Sequence, residues 1–156
     1  MHVVVATDGS PQSLAAAHHL TSFADPHKIS GVTVVAVIRP LASVAFADEI
    51  SEAPPPGPGE GAGSFGEAAQ GAVDAVAAAF DGWGPAVDRE IRSGAPAAEI
   101  IKVANERDAG LVVVAAGGRG ISDAILVGST AQRVQHYAPC PVLVVRPAPR
   151  SRRTGS

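Results

Sequence analysis

Four short runs of consecutive apolar residues constrain the fold of this chain more than any other feature. The runs are continuous rather than alternating, which is typical of strands covered on both faces, as in a parallel sheet. They are His2–Thr7, Val32–Ile38, Leu111–Ala116 and Val142–Val145. A fifth strand is predicted over Val87–Arg92, where four of six residues are charged. That composition favours an edge of the sheet.

Helical segments are predicted between these strands. Ser10 and Pro11 are a favourable N-cap and first helical residue, and they predict a helix to about Phe23. Apolar spacing, proline positions and helix-start residues predict further helices over residues 65–80, 96–108 and 129–138. Joined by right-handed crossovers, these units predict an α/β fold, with an open parallel sheet and helices on both faces.

The chain length and its turn residues define the expected domain. We expect one domain over residues 1–147, because 156 residues is an ordinary single-domain length. Residues 51–64 contain four prolines and four glycines, so residues 39–64 are predicted to form a long flexible loop. Residues 148–156 are predicted to be a disordered tail.

The composition argues against several classes of protein. With one cysteine, Cys140, the chain has no internal disulfide framework and no cysteine-rich zinc site. A net charge of −3 argues against nucleic acid or an anionic membrane as the main partner. No apolar run reaches the roughly 18 residues of a membrane span, and no charged leader precedes the first strand. We therefore expect a cytoplasmic protein.

Two segments lie where parallel sheets bind ligands, at the carboxyl ends of strands. The first strand ends in residues 6–10, where the Asp8 carboxylate would face the crevice; alternatively, Asp8 and Ser10 only cap the first helix. The fourth strand ends in residues 116–120, and Gly128 and Ser129 open the last helix. Glycine amides and a helix N-terminus favour an anion, to which Arg119 can also donate; alternatively, the glycines only form turns.

Other functional patterns are absent from the sequence. It has no P-loop, no dinucleotide fingerprint after the first strand and no Gly-x-Ser-x-Gly nucleophile motif. The five histidines show no metal-ligand spacing, so no metal site is predicted. No histidine, lysine or second carboxylate accompanies the predicted crevice for acid–base work, so we predict no catalytic residues.

The chain resembles the universal stress protein family from residue 1 to about residue 147. The segments that carry the resemblance are Val3–Pro11, Gly94–Ile101, Leu111–Gly120, Gly128–Thr130 and Pro139–Arg146. The resemblance implies a five-stranded, Rossmann-like sheet of order 3-2-1-4-5 and a cytoplasmic homodimer paired along the fifth strand. In one branch of the family it also implies binding of ATP or AMP. The apolar last strand would aggregate as a free edge, so it either pairs inside the sheet or is covered by a second copy. We favour a symmetric dimer through residues 142–146.

The nucleotide-binding branch carries Gly-x-x-Gly, then nine residues, then Gly-Ser/Thr. Here the glycines at 117 and 120 and the pair at 128–129 match, but only seven residues, 121–127, separate them. The resemblance implies an adenosine pocket and a phosphate site. The first is lined by Ala6, Thr7, Asp8 and the backbone of Val37, and the second by Gly117, Gly120, Gly128, Ser129 and Thr130. We expect Arg119 to compensate for the shorter segment.

Three hypotheses for function follow from these observations. The first is a regulatory stress-response module that binds an adenine nucleotide, with Asp8 holding a ribose hydroxyl or the Mg²⁺ carried by ATP. The second is a dimeric interaction protein that binds no nucleotide. The third is slow ATP hydrolysis, which only Asp8 and Arg119 support.

Overall fold

A computed structural model describes residues 1–39, 60–117 and 128–146 of the chain. Strands and helices alternate along the sequence, with one short 3-10 helix at Pro26–Lys28. The strands are β1 His2–Thr7, β2 Gly31–Ile38, β3 Ala86–Ser93, β4 Ala109–Ala115 and β5 Val142–Val145. The α-helices are α1 Pro11–Phe23, α2 Glu60–Ala78, α3 Pro96–Glu106 and α4 Ser129–Tyr137.

The five strands form one parallel sheet of order β3-β2-β1-β4-β5, which confirms the predicted fold class and strand order. β1 lies at the centre, with β2 on one side and β4 on the other. The charged strand β3 lies at an edge, as its composition predicts. Because all strands are parallel, their carboxyl ends share one edge of the sheet.

The continuous apolar runs are explained by a core on each face of the sheet. Val3 and Val5 of β1 face α1 and α2, whereas Val4 between them faces α3 and α4. All three valines are fully buried. A central strand covered by helices on both faces has no solvent side, so the interior of β1 is apolar and its polar residues, His2 and Thr7, lie at its two ends.

Helix α2 begins earlier than predicted. Its first residue is Glu60, inside the segment that the proline and glycine content assigns to a loop. The last proline of that segment is Pro58, so the residues from Glu60 to the end of α2 contain no proline that would break a helix. The rest of the predicted loop, residues 40–59, and the predicted tail lie outside the described residues. None of the described helices is long and apolar enough to cross a membrane.

Gly94 joins β3 to α3 in a conformation that only glycine adopts readily. Its φ is +150°, and its N–H donates to the carbonyl of Ile38 at 2.9 Å. A Cβ at this position would lie 2.8 Å from Cγ of Glu99. The turn therefore requires glycine for both its dihedral angle and its space.

We predict that Gly94→Ala lowers the free energy of unfolding by about 1–3 kcal/mol, the usual cost of a strained backbone position. Gly71→Ala is the matched control, because Gly71 lies within α2 and a Cβ there meets nothing within 4 Å. It should raise the free energy of unfolding by about 0.5–1 kcal/mol. Urea denaturation measures both, and equal effects of the two substitutions would contradict this account.

Candidate functional site

A crevice of about 600 Å³ opens at the carboxyl ends of β1, β2 and β4. Side chains alternate along each strand, and the positions that lead into the crevice are those that face α3 and α4. On β1 this is Ala6, and on β2 and β4 these are Val37 and Val114. The first turns of α3 and α4 supply the remaining wall.

Most of the residues predicted from the sequence meet in this one crevice. Arg119 and Gly120 lie outside the described residues, so their predicted roles stay predictions. The predicted residues that line the crevice are Ala6, Thr7, Asp8, Val37, Gly117, Gly128, Ser129 and Thr130.

The turn after β1 gives Asp8 and Ser10 different roles. The hydroxyl of Ser10 accepts a hydrogen bond from the N–H of Ser13 at 3.2 Å, so Ser10 is the N-cap of α1. Asp8 is exposed, and its Oδ1 accepts from the N–H of Ser10 at 2.9 Å. Gly9 between them has a φ of +80°. The turn therefore places the Asp8 carboxylate at the mouth of the crevice, while Ser10 caps the helix.

The side chain of Thr7 stabilises this turn. Its buried hydroxyl lies 2.7 Å from that of Ser13, and it also accepts the N–H of Gly9 at 3.1 Å. Because these bonds occupy the hydroxyl, we assign Thr7 a positioning role, although it lines the crevice as predicted. Its side chain holds the turn that presents Asp8.

The start of α4 differs in one respect from the predicted anion site. The N–H of Gly128 donates to the carbonyl of Ala116 at 2.6 Å, and this bond joins the helix to the end of β4. The first bond within the helix runs from Gln132 to the carbonyl of Gly128, at 3.0 Å. The N–H groups of residues 129–131 therefore have no acceptor inside α4. They, rather than the Gly128 amide, are the donors that this helix can offer to a ligand.

One half of the crevice is apolar. Val37 of β2 packs against the same apolar cluster as Ile100 of α3, Pro96 begins that helix, and the exposed Arg39 follows β2 at the margin. Because Arg39 is two residues beyond Val37, the two-residue period of a strand directs it to the same side of the sheet.

Of this apolar half, the sequence predicts only Val37. Arg39 falls in the predicted loop of residues 39–64, although the residue that follows a parallel strand lies where such sheets bind ligands, and that rule identifies it. The apolar members carry no sequence signal, since they look like ordinary core. The residues missed are Ser13, Val35, Arg39, Pro96, Ile100, Val114, Ala115, Ala116 and Ala131.

Ion pairs fix the α3 wall of the crevice to β3. The Glu99 carboxylate accepts from Lys102 Nζ at 3.0 Å and from Arg92 Nε at 3.1 Å. Arg92 also donates to Glu106 at 2.7 Å. The hydrogen bonds from Lys102 and Arg92 hold the pKa of Glu99 below its ordinary value. Glu99 lies one turn into α3, between the two crevice residues Pro96 and Ile100.

Comparison with known proteins identifies the family. The model of the universal stress protein family matches residues 1–146. The chain belongs to this family. Universal stress protein MJ0531 of Methanocaldococcus jannaschii is 31% identical over 150 residues, which is 92% of this chain and 81% of that protein.

Solved structures agree on the fold of this universal stress protein. The hypothetical protein MJ0577 superposes with a TM-score of 0.76 at 23% identity, covering 95% of this chain and 96% of that one. A universal stress protein in complex with cAMP superposes with a TM-score of 0.62 at 23% identity, covering 94% and 96%. A family member from Arabidopsis thaliana with AMP bound gives 0.65 at 14% identity, covering 94% and 91%.

The Glu99 ion pairs generate a pH prediction. The pKa of Glu99 is lower in the folded chain than its ordinary value of 4.5, so its stabilising effect is present above about pH 4.5. That effect is lost as the pH falls through the folded-state pKa. We therefore expect Glu99→Gln to lower the free energy of unfolding at pH 7, with a difference from wild type that shrinks below pH 4.5. Denaturation from pH 7 to pH 3 measures it, and a constant difference would contradict it.

Proposed function

We propose that this universal stress protein binds an adenine nucleotide, AMP or ATP, in the crevice at the ends of β1, β2 and β4, and acts as a regulatory stress-response module. The observation that carries the proposal is that one crevice joins the Asp8 carboxylate to the N-terminal amides of α4. These are chemically different groups, and a nucleotide has a partner for each. A carboxylate accepts from ribose hydroxyls, and helix N-terminal amides donate to phosphate.

The positions of these groups suggest an orientation for the ligand. The phosphate would lie at the amides of residues 129–131, and the ribose at Asp8 on the central strand. The base would lie against the apolar wall of Val37, Pro96 and Ile100. Ligand complexes of the similar structures support the adenine class, since they contain cAMP or AMP.

The form of the nucleotide depends on what accompanies the phosphates. Mg²⁺ is usually held by one or two carboxylates together with the phosphates of its nucleotide. Among the described residues that line the crevice, Asp8 is the one that carries a carboxylate. If ATP is the ligand, Asp8 would hold either the ribose or the Mg²⁺ that ATP carries.

The amides of α4 can be tested at Ser129, the first residue of the helix. Ser129→Pro removes the N–H of residue 129. No hydrogen bond within the helix is lost, because this N–H has no acceptor inside α4, and proline is favoured at the first helical position. Gly128 has φ −59° and ψ 156°, which a residue before proline adopts readily. Ser129→Ala is the matched control, since it removes the hydroxyl and keeps the N–H.

We predict that Ser129→Pro weakens AMP binding by about 10- to 100-fold, the value of one hydrogen bond to a charged group. Ser129→Ala should change the dissociation constant by less than about threefold, since the control keeps the amide. Isothermal titration with AMP measures both constants, and circular dichroism checks the fold. Wild-type protein that binds no AMP at millimolar concentration would overturn the proposal and favour an interaction protein without nucleotide.

We also propose that β5, extended to residue 146, pairs with the same strand of a second copy. β5 lies at the edge of the sheet, and its residues are half-buried. The carbonyl of Pro141 accepts from the N–H of Val112 in β4, and that of Val145 accepts from Ala116, the residue after β4. Because the N–H and C=O of one residue point the same way in a parallel ladder, those of Val142 and Val144 point to the open edge.

Val144→Pro tests this pairing, since it removes one outward N–H and leaves the bonds to β4 in place. We expect it to raise the dimer dissociation constant by about 10-fold or more, because each copy loses a hydrogen bond. Val144→Ala keeps the N–H and should remain dimeric. Light scattering across a concentration series measures the mass, and a monomeric wild-type protein would contradict the proposal.

A further inference from the structure

We propose that Arg39 determines the specificity of the crevice for a planar base, by stacking its guanidinium on the face of that base. The inference rests on the proposed nucleotide site and adds a residue and a role to it. Arg39 is the basic side chain among the described residues that line the crevice. Its position decides which part of a ligand it can reach.

The sheet arranges the polar groups of the crevice in a fixed order. Arg39 follows β2, Asp8 follows β1, and the α4 amides lie beyond the end of β4, to which the Gly128–Ala116 bond ties them. Neighbouring strands are about 4.8 Å apart, so β2 and β4 are separated by about 10 Å. Arg39 therefore lies at the opposite end of the crevice from the amides that suit a phosphate.

The register of the sheet sets Arg39 apart from Asp8. Ala6 pairs with Val35, so Asp8 is level with Val37 and Arg39 extends two residues further. Two residues of strand are about 6.6 Å. No ion pair joins Arg39 to Asp8 in the described part of the chain. The guanidinium is thus placed at the crevice margin, above the apolar wall rather than against the carboxylate.

The side chains at the Arg39 end of the crevice suit an aromatic ring. Val37, Pro96 and Ile100 form an apolar surface, and Arg39 lies at its margin. A planar base placed on that surface has one apolar face covered and the other available to the guanidinium. Arginine stacks on aromatic faces through its planar, weakly hydrated cation, whereas lysine presents a compact charge without a plane.

Three ligands separate the contributions of base, ribose and phosphate to binding. AMP contains base, ribose and phosphate; adenosine lacks the phosphate, and ribose 5-phosphate lacks the base. We expect Arg39→Ala to raise the dissociation constants of AMP and adenosine by the same factor. That factor should be about 5- to 20-fold, within the range of a cation–π contact. Binding of ribose 5-phosphate should stay within twofold of wild type. Isothermal titration gives the affinities, with competition against AMP for the weaker ligands.

Two further variants separate stacking from charge. Arg39→Lys keeps the charge and loses the planar group, so adenosine binding should remain at least threefold weaker than in wild type. Arg133→Ala removes an exposed arginine of α4 that is not among the residues lining the crevice, and should leave all three ligands unaffected. Circular dichroism of each variant confirms that it is folded.

Each alternative outcome overturns the inference in a recognisable way. If Arg39→Ala weakens AMP and ribose 5-phosphate equally, Arg39 contacts the phosphate. If it changes no affinity, or if Arg39→Lys restores adenosine binding fully, no stacking occurs. These results leave the proposed function intact. Wild-type protein that binds none of the three ligands overturns the proposed function, and the role of Arg39 with it.

Discussion

Burial of the sheet on both faces is the constraint on which the rest of this structure depends. The central strands are β1, β2 and β4, and their side chains enter one of two cores. Each buried valine contributes about 1.5–3 kcal/mol, so a polar residue inside these strands is costly unless it is hydrogen-bonded, as Thr33 of β2 is to His2. The polar residues that can meet a ligand are therefore confined to the strand ends. Because the strands are parallel, those ends lie together.

The same constraint explains why the two edges of the sheet differ. β3 is covered less than the central strands, and its charged residues form ion pairs with the helices beside it, such as Arg92 with Glu99 of α3. β5 has apolar residues at an edge, and it presents the backbone groups of Val142 and Val144 outward. A charged edge strand resists pairing, whereas an apolar one favours it. The two edges thus suit solvent on one side and a second copy on the other.

Local sequence signals predicted the elements because each signal acts over a few residues. The boundaries of β1 and β5 and those of α1 were read correctly from apolar runs and from Ser10–Pro11. The start of α2 was not, because the proline content of residues 54–58 hid the helical residues that follow. The role of Gly94 could not be predicted either, since it depends on a φ of +150° and on the side chain of Glu99, five residues away.

The sequence alone determined that Asp8 and Gly117 follow apolar strands and that Gly128 and Ser129 open α4, because apolar runs and turn or cap residues are local signals. Only the tertiary structure decided how they combine. It pairs the Gly128 amide with Ala116 and leaves the next three amides as the donors. It also brings Arg39 and the first turn of α3 into the same crevice. These contacts join residues far apart in the chain, and their geometry depends on strand register and helix packing, which no local pattern encodes.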